Sequence, residues 1–459
     1  MDAPETASNP LRVAVVGAGP SGFYAAEALL KSGQNVRVDM IERLPAPYGL
    51  VRYGVAPDHP KLKEAILVYA VIAHLPHFNL LSNVAVGRDV TVEELRAHYH
   101  GVIFACGAET DRHLGIPGED LPGSHTATEF VAWYNGHPDY RERSFDLSAE
   151  VVAIVGQGNV AADVCRILAK SVDELKATDI AEHALDALAA SRVREIHVIG
   201  RRGAAQAKFT NKELKELGEL PSCDAVVDPQ DMELNPESVV ELEVKSNFVS
   251  VKNVEIFRAF AARGPTGKPR RIVFHFLQSP VAITGAARME QVVLARNRLE
   301  GAPLQQVARE TGETDQLQCG LLFRSIGYSG VPIPGVPFDA RRGVFPSQDG
   351  RIVDGGGAVV PGLYAAGWIK RGPTGIIGTN RADSIATVKS LLADLPRLAP
   401  AAKVGEALEP LLTARGVRIV SLADWLKIDA AEVARGQPKS KPREKFTRVA
   451  EMLKCLDGP

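Results

Sequence analysis

The sequence has few cysteines, and they are far apart in the chain. None of the five forms a CxxC pair, and they stand at Cys106, Cys165, Cys223, Cys319 and Cys455. Iron–sulfur clusters, structural zinc sites and dithiol redox centres need closely spaced cysteines, so the spacing argues against all three and against a disulfide framework. We expect small, buried, unpaired thiols.

The sequence also lacks long apolar runs and an excess of either charge. No run approaches the ~20 apolar residues that a membrane span needs. The polar, acidic start MDAPETASNP has neither a signal-peptide core nor an arginine-rich transit pattern. The 53 basic and 55 acidic residues nearly cancel, so the net charge favours neither nucleic acid nor an anionic membrane. We therefore expect a cytoplasmic protein.

What the sequence does contain is two glycine-rich turns, and the first follows residues 11–16. Gly17, Gly19 and Gly22 form a GxGxxG motif, a helical pattern follows, and the run VRVDMIE ends at Glu42, 20 residues after Gly22. Strand, glycine turn, helix, strand and acid in this order predict a dinucleotide site with the pyrophosphate at the helix N-terminus. Glu42 would accept hydrogen bonds from an adenosine ribose and repel a 2′-phosphate. The turn therefore suits FAD or NAD and disfavours NADP.

The second turn follows residues 151–155 and has a different ending. Gly156 and Gly158 are followed by Ala161 in the third glycine position, and residues 172–192 form a helical insertion. The next strand, REIHVIG, leads into Arg201 and Arg202. Two permanently charged guanidinium groups predict a site for the 2′-phosphate of NADP. The alternative is a solvated arginine pair after a strand.

These patterns predict an α/β protein of two Rossmann-like dinucleotide-binding domains. Strand-like runs at 102–109, 317–328 and 361–368 lead the chain back to the first unit. We expect a discontinuous first domain over 1–109 and 327–459, with a helical appendage from about 400 and a basic stretch at 435–448. The NADP domain, 110–326, would be inserted in it. The runs RIVFHFLQS and VVELEV read as strands that complete the inserted domain.

The sequence resembles the adrenodoxin-reductase-type NADPH:ferredoxin reductases, which are FAD enzymes, over nearly the whole chain. The runs that carry the resemblance are VVGAGPSGFYAAEALLK, PYGLVRYGVAPDHPK, ACGAETDRHLGIPGED, VGQGNVAADVCRIL, GRRGAAQAKFTNKELKEL and GWIKRGPTGIIGTN. The second and the last are specific to this family. The resemblance implies hydride transfer from nicotinamide to flavin N5, followed by single-electron transfer to a small, acidic iron–sulfur ferredoxin.

The resemblance also implies which residues contact the cofactors. Along FAD it places Gly17, Gly19, Ser21, Gly22, Glu42, Leu50 and Val86, with Trp368, Gly375, Ile376 and Ile377 at the isoalloxazine end. Along NADP it places Gly156, Gln157, Gly158, Asn159, Val160, Arg201, Arg202, Glu213 and, where the cofactors meet, Gly375.

A polar pair, His59 and Glu216, matches the residues that this family places near the flavin–nicotinamide contact. We expect them to orient the rings and manage protons. The alternatives are a turn residue for His59 and, for Glu213 and Glu216, surface partners of the lysines in KELKEL.

For the ferredoxin, the candidate docking surface is the basic run GKPRR at 267–271 together with Lys208, Lys212 and Lys215. A monomer is favoured, although nothing in the sequence fixes the oligomeric state. A flavin monooxygenase or diaphorase with another acceptor, and a non-catalytic NADP sensor, remain as alternative functions.

Overall fold

The computed structural model describes residues 10–398, 403 and 406–458. The polar N-terminal segment 1–9 discussed above lies outside these residues. The strands, in chain order, are β1 Leu11–Val16, β2 Val36–Glu42, β3 Phe78–Ser82, β4 Gly101–Phe104, β5 Thr110–Asp111, β6 Ser124–Thr126, β7 Val151–Val155, β8 Glu195–Ile199, β9 Cys223–Val227, β10 Arg270–His275, β11 Gln278–Thr284, β12 Gln291–Glu300, β13 Val307–Gln318, β14 Leu321–Arg324, β15 Tyr328–Ser329, β16 Ser347–Gln348, β17 Arg351–Val353 and β18 Val359–Ala365.

Helices connect most of these strands. The α-helices are α1 Pro20–Leu30, α2 Leu50–Tyr53, α3 Pro60–Lys63, α4 Ala65–Ala73, α5 Val92–His98, α6 Ala127–Tyr134, α7 Asn159–Ala169, α8 Val172–Leu175, α9 Glu182–Ala189, α10 Asn211–Leu217, α11 Pro236–Glu243, α12 Phe248–Arg263, α13 Trp368–Arg371, α14 Thr379–Asp394, α15 Glu409–Ala414, α16 Leu422–Gly436 and α17 Val449–Lys454. Short 3-10 helices lie at Pro138–Tyr140, Ala204–Gln206, Pro229–Met232, Lys245–Asn247, Leu395–Arg397 and Gln437–Lys439.

The chain divides into two compact units, one inserted into the other. The first unit comprises the described residues of Met1–Val55, His59–Thr110 and Gly327–Pro459, and the second comprises Ala56–Asp58 and Asp111–Ile326. Both units contain a wholly or largely parallel sheet with connecting helices, so the predicted α/β fold class is confirmed.

The first unit is built on a seven-stranded sheet in the order β16-β17-β18-β4-β1-β2-β3. The inner strand β1 runs parallel to β2 and β4. Its residues alternate between two cores, with Val13 and Val15 on one side and Ala14 and Val16 on the other. A strand buried on both faces is expected to be continuously apolar, as residues 13–16 of β1 are. The carboxyl ends of β1, β2, β4 and β18 meet at one edge, where ligands bind in open α/β sheets.

The second unit has a six-stranded sheet in the order β6-β14-β7-β8-β10-β9. Its inner strands β7, β8 and β10 are parallel neighbours. A separate antiparallel sheet, β11-β12-β13, shares a core with β7 and β8 through Ile283, Val292 and Leu294. The turn that follows β7 and the arginines that follow β8 therefore lie at the same sheet edge.

Two of the predicted strands are wrong in whole or in part. VVELEV lies mostly in helix α11, because Asn235 caps the helix by accepting a hydrogen bond from Ser238 N–H (3.1 Å) and Pro236 takes a first-turn position. RIVFHFLQS is split between β10 and β11, since Leu277 adopts a left-handed backbone with φ of +54°.

The cysteines agree only partly with expectation. All five cysteines are free, but Cys106 and Cys455 are partly exposed, whereas the other three are buried. Among the residues that the structure describes, no helix combines the length and the apolar character needed to cross a membrane.

Candidate functional site

The first glycine turn connects β1 to α1, and two of its glycines are required by the chain itself. Gly17 has φ of +105°, and a Cβ there would lie 2.6 Å from the carbonyl oxygen of Ala105. A Cβ on Gly22 would lie 2.0 Å from the carbonyl oxygen of Gly17. Side chains at these positions would overlap the backbone, so both glycines are needed for the turn to close.

Gly19 is different, because no atom of the described chain lies within 4 Å of where its Cβ would be. It is the N-cap of α1 and provides no side-chain cap for the helix. The first N–H groups of α1 therefore face open space with the positive end of the helix dipole. Packing does not require a glycine here, and the open space would suit the close approach of a pyrophosphate.

Glu42 is fixed beside this turn at the end of β2. Its carboxylate accepts hydrogen bonds from the N–H of Ala18 (2.9 Å) and of Leu44 (3.1 Å). Burial raises the pKa of Glu42, although the two N–H donors and the charge of Arg43 act in the opposite direction. Each carboxylate oxygen retains a lone pair for a ribose hydroxyl.

The segment that contains α2 lies against the first turn. Tyr48 donates its N–H to the carbonyl of Ala18 (2.8 Å), and a Cβ on Gly49 would lie 3.1 Å from the Cα of Gly19. Leu50, a predicted FAD contact, begins α2. Val86, another predicted FAD contact, packs against the core that contains Ala14 and Val16 of β1.

A buried ion pair that the sequence analysis missed holds this segment. Arg52 donates to Glu432 at the C-terminal end of α16 (2.6 Å), and both side chains are almost completely buried. The guanidinium carbon of Arg52 lies 5.0 Å from the ring centroid of Tyr53 and 5.1 Å from that of Trp425. The predicted helical appendage therefore packs into the first unit. No local pattern marks Glu432 as the partner of Arg52.

Ser21 and the residue before Trp368 lie close together. A Cβ on Gly367 would lie 2.0 Å from the Ser21 hydroxyl. Trp368 begins α13, and its ring centroid lies 5.3 Å from that of Tyr328. The indole N–H of Trp368 is buried and has no hydrogen-bond partner among the described residues. A buried donor without a partner is uncommon and fits a site for a polar ligand atom.

The predicted isoalloxazine end continues along residues 375–377. Gly375 has φ of +85°, and Ile376 is an apolar residue with 68% of its surface exposed. Asn380 braces the segment, since its side-chain N–H₂ donates to the carbonyls of Ile376 and Ile377. All of these residues belong to the first unit. The contact of Gly375 with NADP stays a prediction.

The second glycine turn connects β7 to α7, and its first two glycines have the same roles as those of the first turn. Gly156 has φ of +127°, and a Cβ there would lie 2.1 Å from the carbonyl oxygen of Ser325. Gly158 has no atom within 4 Å of its Cβ position and is the N-cap of α7 without a side-chain cap. Ala161 is completely buried. This turn likewise leaves a helix N-terminus open to an anion.

Three predicted NADP contacts line this turn with different roles. The Gln157 side chain donates to the carbonyl of His275 (2.9 Å), which fixes it against the protein. Asn159 accepts a hydrogen bond from the N–H of Thr210 (2.8 Å). Val160 is partly exposed. The backbone at this turn, more than its side chains, is available to a ligand.

Arg201 and Arg202 follow β8, and neither guanidinium forms an ion pair with a carboxylate among the described residues. Arg201 is exposed and Arg202 partly buried. Burial and the neighbouring charge of Arg201 lower the pKa of Arg202, while the charge of Glu241 acts in the opposite direction. The two adjacent cations repel each other, so binding of a dianion would offset that repulsion. This arrangement favours the phosphate interpretation over a neutralised surface pair.

Glu213 is a member of a buried charge network. It accepts a hydrogen bond from Arg166 (2.6 Å), which also pairs with Asp58 (2.9 Å) and Asp163 (2.5 Å). Burial would raise the pKa of Asp58, but Arg166 and Lys170 outweigh it and hold that pKa well below its usual value. Lys212 and Lys215 are the partners that the sequence suggests for Glu213, and the structure shows Arg166 as a partner.

His59 and Glu216 belong to different units. His59 occupies the N-cap position of α3 in the first unit and is buried. Glu216 lies on α10 in the second unit, where Lys212 approaches its carboxylate at 3.7 Å in an i,i+4 pair. The active-site roles of both residues stay predictions.

The basic run GKPRR is largely used within the second unit. Lys268 donates to the carbonyl of Leu220 (2.7 Å), and Arg270 donates to the carbonyl of Ala169 (2.8 Å). Arg271 forms an ion pair with Glu195. The run is therefore a poor candidate for a free cationic docking surface. Lys208, Lys212 and Lys215 are exposed.

Taken together, the residues present fit a dinucleotide at each turn. Gly19 and Gly158 leave open space next to uncapped helix N-termini. The first turn is followed by a fixed carboxylate and the second by two unpaired guanidinium groups.

Comparison with known proteins gives the family. The model for "Pyridine nucleotide-disulphide oxidoreductase" matches residues 11–216. The NADPH-ferredoxin reductase FprA of Mycobacterium tuberculosis is 43% identical, covering 97% of this chain and 99% of the relative. The human mitochondrial NADPH:adrenodoxin oxidoreductase is 44% identical, covering 97% and 92%.

A solved structure agrees with these sequence comparisons. Mycobacterium tuberculosis FprA in complex with NADPH superimposes with a TM-score of 0.92 at 43% identity, covering 98% of this chain and all of the other. Identity at this level over nearly the full length of both chains exceeds a likeness of fold alone. The protein therefore belongs to the family of NADPH-ferredoxin reductases and NADPH:adrenodoxin oxidoreductases.

Proposed function

We propose that this protein is an FAD-dependent ferredoxin–NADP⁺ reductase, which carries electrons between NADPH and a ferredoxin. One observation carries the proposal: two equivalent glycine turns, one in each unit, are followed by opposite charges. FAD, when bound, accepts two electrons from a hydride donor and releases them singly, which is the chemistry that joins NADPH to a one-electron acceptor. The role of the chain is to bind, orient and shield the reacting groups.

In the first unit the residues present would hold FAD. Gly19 and the N-terminus of α1 would accommodate the pyrophosphate, and Glu42 would accept hydrogen bonds from the adenosine ribose. The unpartnered indole N–H of Trp368 would donate to a polar atom of the ligand. Because Glu42 is negatively charged when ionised, it disfavours a 2′-phosphate at this turn.

In the second unit the N-terminus of α7 would bind the NADP pyrophosphate, and Arg201 and Arg202 the 2′-phosphate. Glu213, held by Arg166, would contact the nucleotide from α10. We assign orientation and proton management to His59 and Glu216.

The partner that we propose is a small, acidic iron–sulfur ferredoxin, attracted by exposed lysines such as Lys208 and therefore weakened by salt. A cytoplasmic location and a monomeric state also remain proposals. The human relative is mitochondrial by name, whereas the mycobacterial name states no compartment.

The test is an anaerobic titration of the purified protein with NADPH and then NADH, followed by optical spectra. A yellow protein that NADPH bleaches much more readily than NADH supports the proposal. Rapid cytochrome c reduction with ferredoxin, and little NADPH oxidation by oxygen alone, identifies the acceptor. Fast oxidation by oxygen would instead indicate a monooxygenase, and a colourless protein that binds NADPH would indicate a sensor.

A further inference from the structure

The backbone of the arginine loop, residues 200–203, is held along its length. The carbonyl of Gly200 accepts a hydrogen bond from the backbone N–H of Gln278, the first residue of β11 (3.0 Å), and that of Arg202 accepts one from Leu277, between β10 and β11 (3.1 Å). The carbonyl between them, that of Arg201, accepts its hydrogen bond from a side chain, the amide Nδ2 of Asn297 (3.0 Å). One side chain from β12 thus provides the hydrogen bond to the middle one of these three loop carbonyls.

Asn297 is built into this position. It is 7% exposed and follows an irregularity in the register between β12 and β13. Its Nδ2 donates to the Ser279 hydroxyl (2.8 Å) as well as to Arg201, so both amide protons are used. Its backbone N–H donates to the carbonyl of Leu277 (2.7 Å). The asparagine therefore joins the loop, β11 and β12.

Leu277 shows how firmly the connection is fixed. Its φ of +54° lies in the left-handed region, which a leucine rarely adopts. Its N–H donates to Arg202 and its carbonyl accepts from Asn297, so hydrogen bonds on both sides retain the conformation. The arginine loop is thus hydrogen-bonded to a turn at Leu277 whose own conformation is held by hydrogen bonds.

We propose that Asn297 is a positioning residue for the selection of the 2′-phosphorylated nucleotide. By holding the Arg201 carbonyl it fixes the peptide plane between Arg201 and Arg202, and with it the directions in which both side chains leave the backbone. Neither guanidinium ion-pairs with a described carboxylate, so no ion pair fixes the side chains, and the Cα–Cβ directions set by the backbone limit the positions that the two charges can reach. The inference rests on the proposed binding of NADP in the second unit.

The test compares the affinity of the FAD-loaded protein for NADP⁺ and NAD⁺ by difference spectroscopy. In Asn297→Ala we expect the preference for NADP⁺ to fall about fivefold, the effect of one hydrogen bond, with the affinity for NAD⁺ unchanged. Asn297→Thr should act in the same direction, since a hydroxyl has one proton for two acceptors, and it suits a β-strand if the alanine variant folds poorly.

The matched control is Asn135→Ala, which removes a buried asparagine that donates to the carbonyl of Val131 in the same unit (3.1 Å). It should lower the melting temperature and leave the preference intact. Equal loss of both nucleotides in the Asn297 variants, or a preference equal to that of the unmodified protein, would overturn the inference. Absence of any NADP⁺ preference in the unmodified protein would instead overturn the proposed function itself.

Discussion

The two glycine turns have the same backbone structure, but they are followed by side chains of opposite charge. Gly17 and Gly156 both have positive φ, and a side chain on either would overlap a carbonyl oxygen in the segment after a parallel strand. Gly19 and Gly158 both cap a helix without such a constraint. The charges that follow are opposite, with Glu42 in the first unit and two arginines in the second.

The means of holding each site also differ. In the first unit, helix α16 holds the segment beside the turn through the Arg52–Glu432 ion pair. In the second unit, the β10–β11 connection and Asn297 hold the arginine loop. The glycine turn is a local structure that both units share. The segments beside the turns, by contrast, are held in position by residues that are remote in the sequence.

The largest effect should come from breaking the support in the first unit. Glu432→Gln leaves the buried Arg52 guanidinium without a carboxylate partner, and loss of one member of a buried pair costs about 3–5 kcal/mol. We expect the free energy of unfolding in urea to fall by that amount and FAD to dissociate faster. The control, Glu451→Gln on α17, removes an exposed pair and should cost less than about 1 kcal/mol. Unchanged stability and flavin content would show that α16 does not support the site.

The third position of the turn tests where the two units differ. Gly22→Ala would place a Cβ 2.0 Å from the carbonyl oxygen of Gly17, and overpacking of this kind costs about 1–3 kcal/mol. Its counterpart Ala161→Gly should cost only about 0.5–1 kcal/mol, because glycine weakens a helix. Gly19→Ala should leave stability intact and weaken FAD binding alone. Thermal unfolding with and without added FAD separates these results, and a destabilised Gly19→Ala protein would contradict the distinction.

The charge difference is tested by the double variant Arg201→Ala plus Arg202→Ala. Since hydrogen bonds to charged groups contribute about 1.5–3 kcal/mol each, we expect the preference for NADPH over NADH in ferricyanide reduction to fall at least ~10-fold. The exposed pair Arg341 and Arg342 in the first unit offers a matched control, and its double alanine variant should keep the preference. If both nucleotides lose affinity equally, the arginines are structural.

The last effect is a pH dependence that we assign to the second unit. Burial and the neighbouring His197 lower the pKa of His275 to about 4, whereas an unfolded histidine takes up its proton near pH ~6.5. Between these values the unfolded state binds more protons, so the free energy of unfolding falls as the pH is lowered from about 6.5 to 4. His275→Gln should reduce the dependence of the melting temperature on pH over this range. The exposed His113→Gln should leave that dependence unchanged. Equal slopes of melting temperature against pH in the unmodified protein and both variants would reject the assignment.

Much of the fold could be predicted because its signals are local. β1, β2 and β7 have the bounds that their sequence patterns predict, since buried strands of a parallel sheet are rich in valine and isoleucine. The run VVELEV was misread because a short apolar run has no decisive period, and the cap at Asn235 makes it helical. In the basic run GKPRR, charge alone could not reveal that Lys268 and Arg270 donate to nearby carbonyls.

The sequence by itself determined the two dinucleotide turns, the reversal of charge between Glu42 and the arginine pair, and the family. Glycine spacing and terminal charge lie within single strand–turn–helix segments, where chain neighbours are also neighbours in space. Only the tertiary structure decided that Glu432 pairs with Arg52 and that Asn297 holds Arg201. These contacts join residues 380 and 96 positions apart. Such pairs leave no periodic pattern in the chain, because their geometry depends on how whole elements pack.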